Sequence, residues 1–244
     1  MNRYDEISEL KQKECYTFED LIAVTRVLRS ERGCPWDREQ DHHSIRSELI
    51  EETYEVVEAI DTDDPVLLRE ELGDLLFQII FHAQIEAEAD RFTVNEVIHD
   101  ITAKMVHRHP HVFGNVSVKN SKEVLSNWEV IKTEEKQRNT LVEKLKAIPP
   151  MLPALMRASK VGKKLGQANT EDTEALLQTL ENSIEQMRAG LKTPEQADAN
   201  ALIGALLMQV TDLSRALGVN AEYALSKETD RVIASVEAES DKKI

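Results

Sequence analysis

Apolar residues recur at helical spacing along almost the whole chain, and capping or turn residues mark the breaks between the runs. Thr17 with Asp20 predicts a helix start, and that helix should run to about Arg32 before Gly33-Cys34-Pro35-Trp36-Asp37 breaks it. A second helix is expected from Ser44 to about Ile60, with Ile50, Tyr54 and Val57 as its apolar stripe and Glu48, Glu51, Glu52, Glu55 and Glu58 mostly on another side. Asp61-Thr62-Asp63-Asp64 reads as a turn and Pro65 as a first helical residue. The helix that follows should reach Ala89, with Leu68, Leu72, Leu75, Ile79 and Ala83 along one face. Thr93 and Glu96 form a second capping pattern, opening a helix to about Arg108, and His109 to Gly114 break it.

Beyond a polar helix at about Ser121–Arg138, the segment 139–153 holds Pro149, Pro150 and Pro153 and reads as a linker. Further helices are expected near 154–165, 173–189, 194–217 (capped by Thr193 and Pro194) and from Ala221 onward, with Gly190 and Gly218 as stops. No strand pattern competes, so the fold class is all-α. The second half resembles a decayed copy of the first. Leu202-Ile203-Gly204-Ala205-Leu206-Leu207-Met208 aligns with Glu71-Leu72-Gly73-Asp74-Leu75-Leu76-Phe77, and Glu181 to Glu185 align with Glu51 to Glu55. In that register the apolar frame persists while Leu202 and Ala205 stand where Glu71 and Asp74 were. The expected organisation is a catalytic repeat at 1–138, a linker at 139–153 and a structural repeat at 154–244.

The candidate chemistry lies in two acidic strings, Glu51-Glu52-Thr53-Tyr54-Glu55 and Glu71-Leu72-Gly73-Asp74. Each puts carboxylates one turn apart on a helix, where like charges cost roughly 0.2–0.5 kcal/mol per pair. Acidic faces are common as solvated surface. Here, however, Asp74 is a poor helix former hemmed by leucines, and Gly73 in mid-helix costs roughly 1 kcal/mol against Ala. A glycine there is expected to admit a neighbouring backbone or a ligand. Oxygen ligands alone suit Mg²⁺, Mn²⁺ or Ca²⁺.

Composition narrows the classes. The chain has 244 residues and a net charge of −15, which argues against a general nucleic-acid binder and means that local cations must hold any phosphate substrate. No apolar run approaches the roughly 18–20 residues of a membrane span, and Met1 to Glu14 are charged, without a signal-like apolar core. Cys15 and Cys34 are the only cysteines, so neither a disulfide framework nor a thiolate metal set is expected, and a reducing cytoplasm is the simplest home.

The string Glu51-Glu52-x-x-Glu55 followed by Glu71-x-x-Asp74 resembles the signature of the MazG nucleoside triphosphate pyrophosphohydrolases. The likeness extends to Cys34-Pro35-Trp36-Asp37-Arg38-Glu39-Gln40, to Glu70 through Gln78, to Arg108-His109-Pro110-His111-Val112-Phe113-Gly114 and to Leu152 through Ala158. It implies an all-α helical bundle in two tandem repeats, shared between protomers of a homodimer. It also implies Mg²⁺-dependent hydrolysis of nucleoside triphosphates to the monophosphate and pyrophosphate, with Mn²⁺ as a substitute. By that resemblance Glu52, Glu55, Glu71 and Asp74 hold the metal, and Lys104, Arg108, Trp128 and Lys132 match positions associated with the nucleotide. One departure is Leu67, where some members carry a basic residue.

A further carboxylate should take a proton from the attacking water, with Glu51 and Glu48 as the candidates. Trp36 either lines the base pocket or plugs the core, and Trp128 either stacks on a base or packs in an interface. His109 and His111 fit a structured turn better than a metal site. Two other readings stay open. A di-iron bundle would use Glu96 with His99 and Glu39 with His42, and a non-catalytic helical module would carry a vestigial site.

Overall fold

The computed structural model describes residues 3–136, 140–166, 173–190 and 198–241. Among them lie thirteen α-helices and no strand. The chain forms two compact units, Met1–Val124 and Leu125–Ile244. The division falls inside α8 (Ser121–Lys136), ahead of the expected boundary at 138.

The first unit contains α1 (Arg3–Gln12), α2 (Phe18–Leu28), α3 (Pro35–Glu39), α4 (Arg46–Asp61), α5 (Pro65–Glu88), α6 (Val94–Arg108) and α7 (Pro110–Phe113). Helix α1 had no counterpart in the sequence reading. Its centre is an antiparallel hairpin of α4 and α5, against which α2 and α6 pack along α5. Local chemistry sets most ends. Thr17 and Asp20 cap α2 reciprocally, as Thr93 and Glu96 cap α6. Asp64 accepts from the amides of Val66 and Leu67 at 2.9 and 3.1 Å, and Pro65 opens α5. Asp63 turns the hairpin with φ 53°, a left-handed conformation that Asp tolerates.

Helix α2 stops at Leu28, before the expected Arg32, because the chain doubles back. The amide of Cys34 donates to the carbonyl of Leu28 at 2.8 Å. A Cβ on Gly33 would stand 2.1 Å from that carbonyl oxygen and 2.2 Å from that of Val27. Gly33→Ala is therefore expected to destabilise the first unit by about 3 kcal/mol, read by denaturant melting. Unchanged stability would mean that the turn is free to rearrange.

The core of this unit is Ile80, Ala83 and Val94, with Phe18, Leu21, Ile22 and Val97 packed on it. The hairpin itself has an unexpected polarity. On α4 the residues turned inward are Ile45, Glu48, Leu49, Glu52, Glu55, Val56 and Ala59, while Ile50, Tyr54 and Val57 are exposed. The expected apolar stripe thus faces out and three acids face α5. On α5, Leu72 and Ile79 are likewise exposed, while Leu68 and Leu75 are half-buried and Ala83 is buried.

The second unit repeats this arrangement. After α9 (Leu141–Lys146) come α10 (Ala154–Leu165), α11 (Thr173–Gly190), α12 (Ala199–Ala216) and α13 (Ala221–Asp241). Helices α11 and α12 form the hairpin and α10 packs on α12, as α2 packs on α5. The stretch expected as a linker contains α9, capped by Thr140 with Glu143 and packed on α10. Thr193 and Pro194, and residues 137–139, lie outside the described residues. Gly218 stops α12 with φ 71°.

Burial corrects the register of the repeat. Thr173, Leu176, Leu180, Ser183 and Met187 face inward on α11 with the spacing of Ile45, Glu48, Glu52, Glu55 and Ala59 on α4. The counterparts of Glu52 and Glu55 are therefore Leu180 and Ser183. Asn182 and Glu185, which the sequence alignment put there, are exposed. Thr211 occupies the place of Ile80, and both are fully buried. No single described helix is long and apolar enough to cross a membrane; α12 and α13 qualify only as a pair bent by 103°.

Candidate metal and nucleotide site

Three of the predicted carboxylates converge. One oxygen from each of Glu52, Glu55 and Glu71 lies within 4.8 Å of the others, across the groove between α4 and α5. All three are half-buried. Burial, then the charges of Asp74 and Glu55, push the Glu52 carboxyl up to about 7. Glu71 is raised by burial, then by Glu55 and Asp74. The fold holds these acids together, and each opposes the ionisation of the next. The donors are carboxylate oxygens only, which fits a hard divalent cation such as Mg²⁺.

The remaining acids divide. Asp74 is exposed at the edge of the cluster and acts on Glu52 and Glu71 through its charge. Glu51 is exposed and outside the converging trio, whereas Glu48 is half-buried on the same face as Glu52. Gly73 was expected to admit a close neighbour, but, the backbone of its own helix and its two chain neighbours aside, no atom comes within 4 Å of where its Cβ would be; the same holds for Gly204.

The expected nucleotide residues are spread over the chain. Lys104 is exposed on α6 and Arg108, one turn on, is buried. Trp36 is 58% exposed on α3, so it does not plug the core. Trp128 and Lys132 belong to the second unit, where the Lys132 ammonium lies 5.0 Å from the centre of the Trp128 ring. Lys132 also lies 3.9 Å from Glu129. Here Trp128 stacks with a cation of its own helix.

One member of each Glu-x-x-His spacing has another partner. Glu96 accepts from Thr93 at its cap, and His42 bonds His82 and Glu86. His109 Nδ1 donates to the Met105 carbonyl at 2.6 Å, as a structured turn requires.

Two comparisons bear on identity. Residues 40–113 match the MazG nucleotide pyrophosphohydrolase domain. The chain is 37% identical over 218 residues to a nucleoside triphosphate pyrophosphohydrolase/pyrophosphatase MazG from Thermotoga maritima, covering 88% of this chain and 82% of that one. The chain belongs to the MazG family. A nucleoside triphosphate pyrophosphohydrolase from Escherichia coli is 41% identical over 216 residues, 86% of this chain and 82% of its own. The MazG match spans α4, α5 and α6, the elements that carry Glu52, Glu55, Glu71, Lys104 and Arg108.

Sequence reasoning missed a second polar group on α5. Asp74, Gln78, His82 and Glu86 recur every fourth residue along α5. That spacing was the available clue.

Proposed function

We propose that this MazG-family enzyme hydrolyses nucleoside triphosphates to the nucleoside monophosphate and pyrophosphate, using Mg²⁺ held by Glu52, Glu55, Glu71 and Asp74, as a homodimer in the cytoplasm. The observation that carries the reading is the three-carboxylate convergence within 4.8 Å with Glu52 held at about 7. Such a cluster is costly without a cation and well matched to one.

One water is consumed. Its oxygen bonds the α-phosphorus, the bond from that phosphorus to the bridging oxygen breaks, and pyrophosphate leaves. Held by Glu52, Glu55, Glu71 and Asp74, Mg²⁺ would supply charge neutralisation and would make the attacking water more acidic. Glu48 faces the groove one turn from Glu52, and we assign it, rather than the outward Glu51, to take the water's proton. Lys104 and Arg108 supply positive charge for the triphosphate in a chain whose net charge of −15 repels it. Trp36, an exposed ring on α3, offers a face to the base. The first repeat, 1–138, carries the activity; the second, 154–244, with Leu180 and Leu202 where Glu52 and Glu71 stand, is a packing copy.

The test is a panel of nucleoside triphosphates with Mg²⁺, free of contaminating pyrophosphatase, with the products resolved. Monophosphate and pyrophosphate are expected; diphosphate and orthophosphate would overturn the reading. In the same assay Glu51→Gln, and Glu181→Ala with Glu185→Ala, should keep turnover, whereas Glu48→Gln should lower it about a hundred-fold. Loss of activity in the double variant, with fold intact, would make the second repeat a working site.

A further inference from the structure

A second polar cluster of the first unit sits at the far end of α5. His42 Nδ1 lies 2.8 Å from His82 Nδ1, with the two rings 5.0 Å apart and within 12° of parallel. His42 Nε2 lies 2.5 Å from Glu86 Oε1. Arg91 holds the same carboxylate, with Nη2 donating to Oε1 at 2.7 Å and Nε to Oε2. Arg91, then His42, hold the Glu86 carboxyl down at about 2, so it is ionised and His42 Nε2 donates to it. The contact between the two Nδ1 atoms then requires one proton, since two lone pairs or two N–H groups would repel.

The cluster ties down a segment that Arg29 and Arg38 also anchor. Arg29, buried just after α2 as its C-cap, donates to the carbonyls of Asp37 and Gln40 at 2.6 and 3.0 Å and grips Glu88 of α5. Gln40 Nε2 donates to the Trp36 carbonyl at 2.8 Å, and Ser44 Oγ donates to Gln40 Oε1 at 2.8 Å. Asp41 accepts from the amides of His43 and Ser44. Residues 36–44 thus form one hydrogen-bonded unit, fastened to α5 through Arg29–Glu88 at one point and through His42 at the other.

We propose that His42, His82 and Glu86 form a one-proton latch that positions the Trp36 segment for the nucleotide. The proposal rests on the reading of Trp36 as a substrate contact, and it makes His42 a positioning residue. With two ring protons, His42 carries Nε2–H and His82 carries Nδ1–H. A third proton gives the pair one positive charge, balanced by Glu86, and the latch stays closed. A fourth would set two N–H groups against each other at 2.8 Å and open it. Burial, then the charge of His42, lower the pKa of His82 and so oppose that step. The other charged groups around the pair are Arg91, Asp41 and His43, with Arg29 and Glu88 beyond.

The test uses the full chain. Long-range nitrogen–proton NMR of the histidine rings at pH 8 should show His42 as the Nε2–H tautomer and His82 as the Nδ1–H tautomer. On acidification the two rings together should take up one charge. The chain has two tryptophans, so a Trp128→Phe background leaves Trp36 as the only reporter. There, His42→Ala should lower Trp36 fluorescence anisotropy, and His42→Gln, whose amide reproduces the Nε2 donor, should restore most of it. In the natural background His42→Ala should raise KM, and the Kd of a non-hydrolysable analogue, by about five-fold, the worth of one hydrogen bond, with kcat and Mg²⁺ affinity kept.

Independent charging of both rings, unchanged anisotropy, or a loosened Trp36 with unchanged KM and Kd would each overturn the proposal. So would a joint loss of kcat and Mg²⁺ affinity, which would make His42 part of the general scaffold. A chain that binds the analogue with these effects but does not turn over substrate fails the proposed function and leaves the latch standing.

Discussion

Glu52→Gln is expected to reduce triphosphate turnover by about a thousand-fold, the equivalent of several kcal/mol of lost metal-centred stabilisation. The same change should make the metal-free protein more stable at pH 8. Glu52 is the acid whose ionisation is most opposed, first by burial and then by Asp74 and Glu55. Its folded pKa of about 7 lies above the unfolded value. The folded state therefore binds a proton more tightly than the unfolded one, and ionisation costs stability. The metal-free protein should lose stability as pH rises from the ordinary carboxylate range through about 7, then level off. Mg²⁺ competes with that proton, so its apparent affinity should rise over the same window. Thermal melts across pH, with and without Mg²⁺, check both. If Glu52→Gln turns over at the natural rate, or leaves the pH slope of the metal-free melt unchanged, Glu52 is not at the centre of the site.

Leu72→Asp with Ile79→Asp is expected to convert a dimer into a monomer. Ile50, Tyr54 and Val57 on α4, and Leu72, Leu76 and Ile79 on α5, are all exposed, with Tyr54 at 56% and Leu72 at 49%. Together they line one side of the hairpin, and Gly73 among them leaves open space beside α5. Fully burying a Leu or Ile side chain contributes about 1.5–3 kcal/mol, so a bundle of two such hairpins has a substantial driving force. Two buried, unpaired carboxylates should raise the dissociation constant roughly a thousand-fold or more. Sedimentation reads the state directly, and circular dichroism should show the helices intact. A natural protein that is monomeric at micromolar concentration would rule out the shared bundle.

The second hairpin has the same exposed apolar face without the acids in its groove. Ile203, Leu207 and Val210 are exposed at the places of Leu72, Leu76 and Ile79, while Leu180 and Leu202 fill the groove that acids line in the first. An apolar groove needs no cation, so this hairpin meets the packing requirement alone.

By itself the sequence determined the features that depend on neighbours within a turn or two. The caps at Thr17, Asp64 and Thr93, the hairpin turn at Asp61–Asp64 and the stop at Gly218 are hydrogen bonds or backbone preferences set a few residues away. The acids Glu52, Glu55 and Glu71 were legible for the same reason, since i,i+3 spacing fixes a shared helix face. Periodicity does not say which of two faces packs inward. On α4 the stripe of Ile50, Tyr54 and Val57 is as regular as that of Glu48, Glu52 and Glu55, and the acidic one faces α5. Tertiary structure decided that, and with it the placement of Glu48 inside and Glu51 outside. It also decided the repeat register, because the burial phase of α11 is set by α12, not by the acids that guided the sequence alignment. The cluster of His42 with His82 and Glu86 joins residues forty or more positions apart. A contact at that separation exists only once α5 and the segment before α4 are folded together, and no local rule of spacing encodes it.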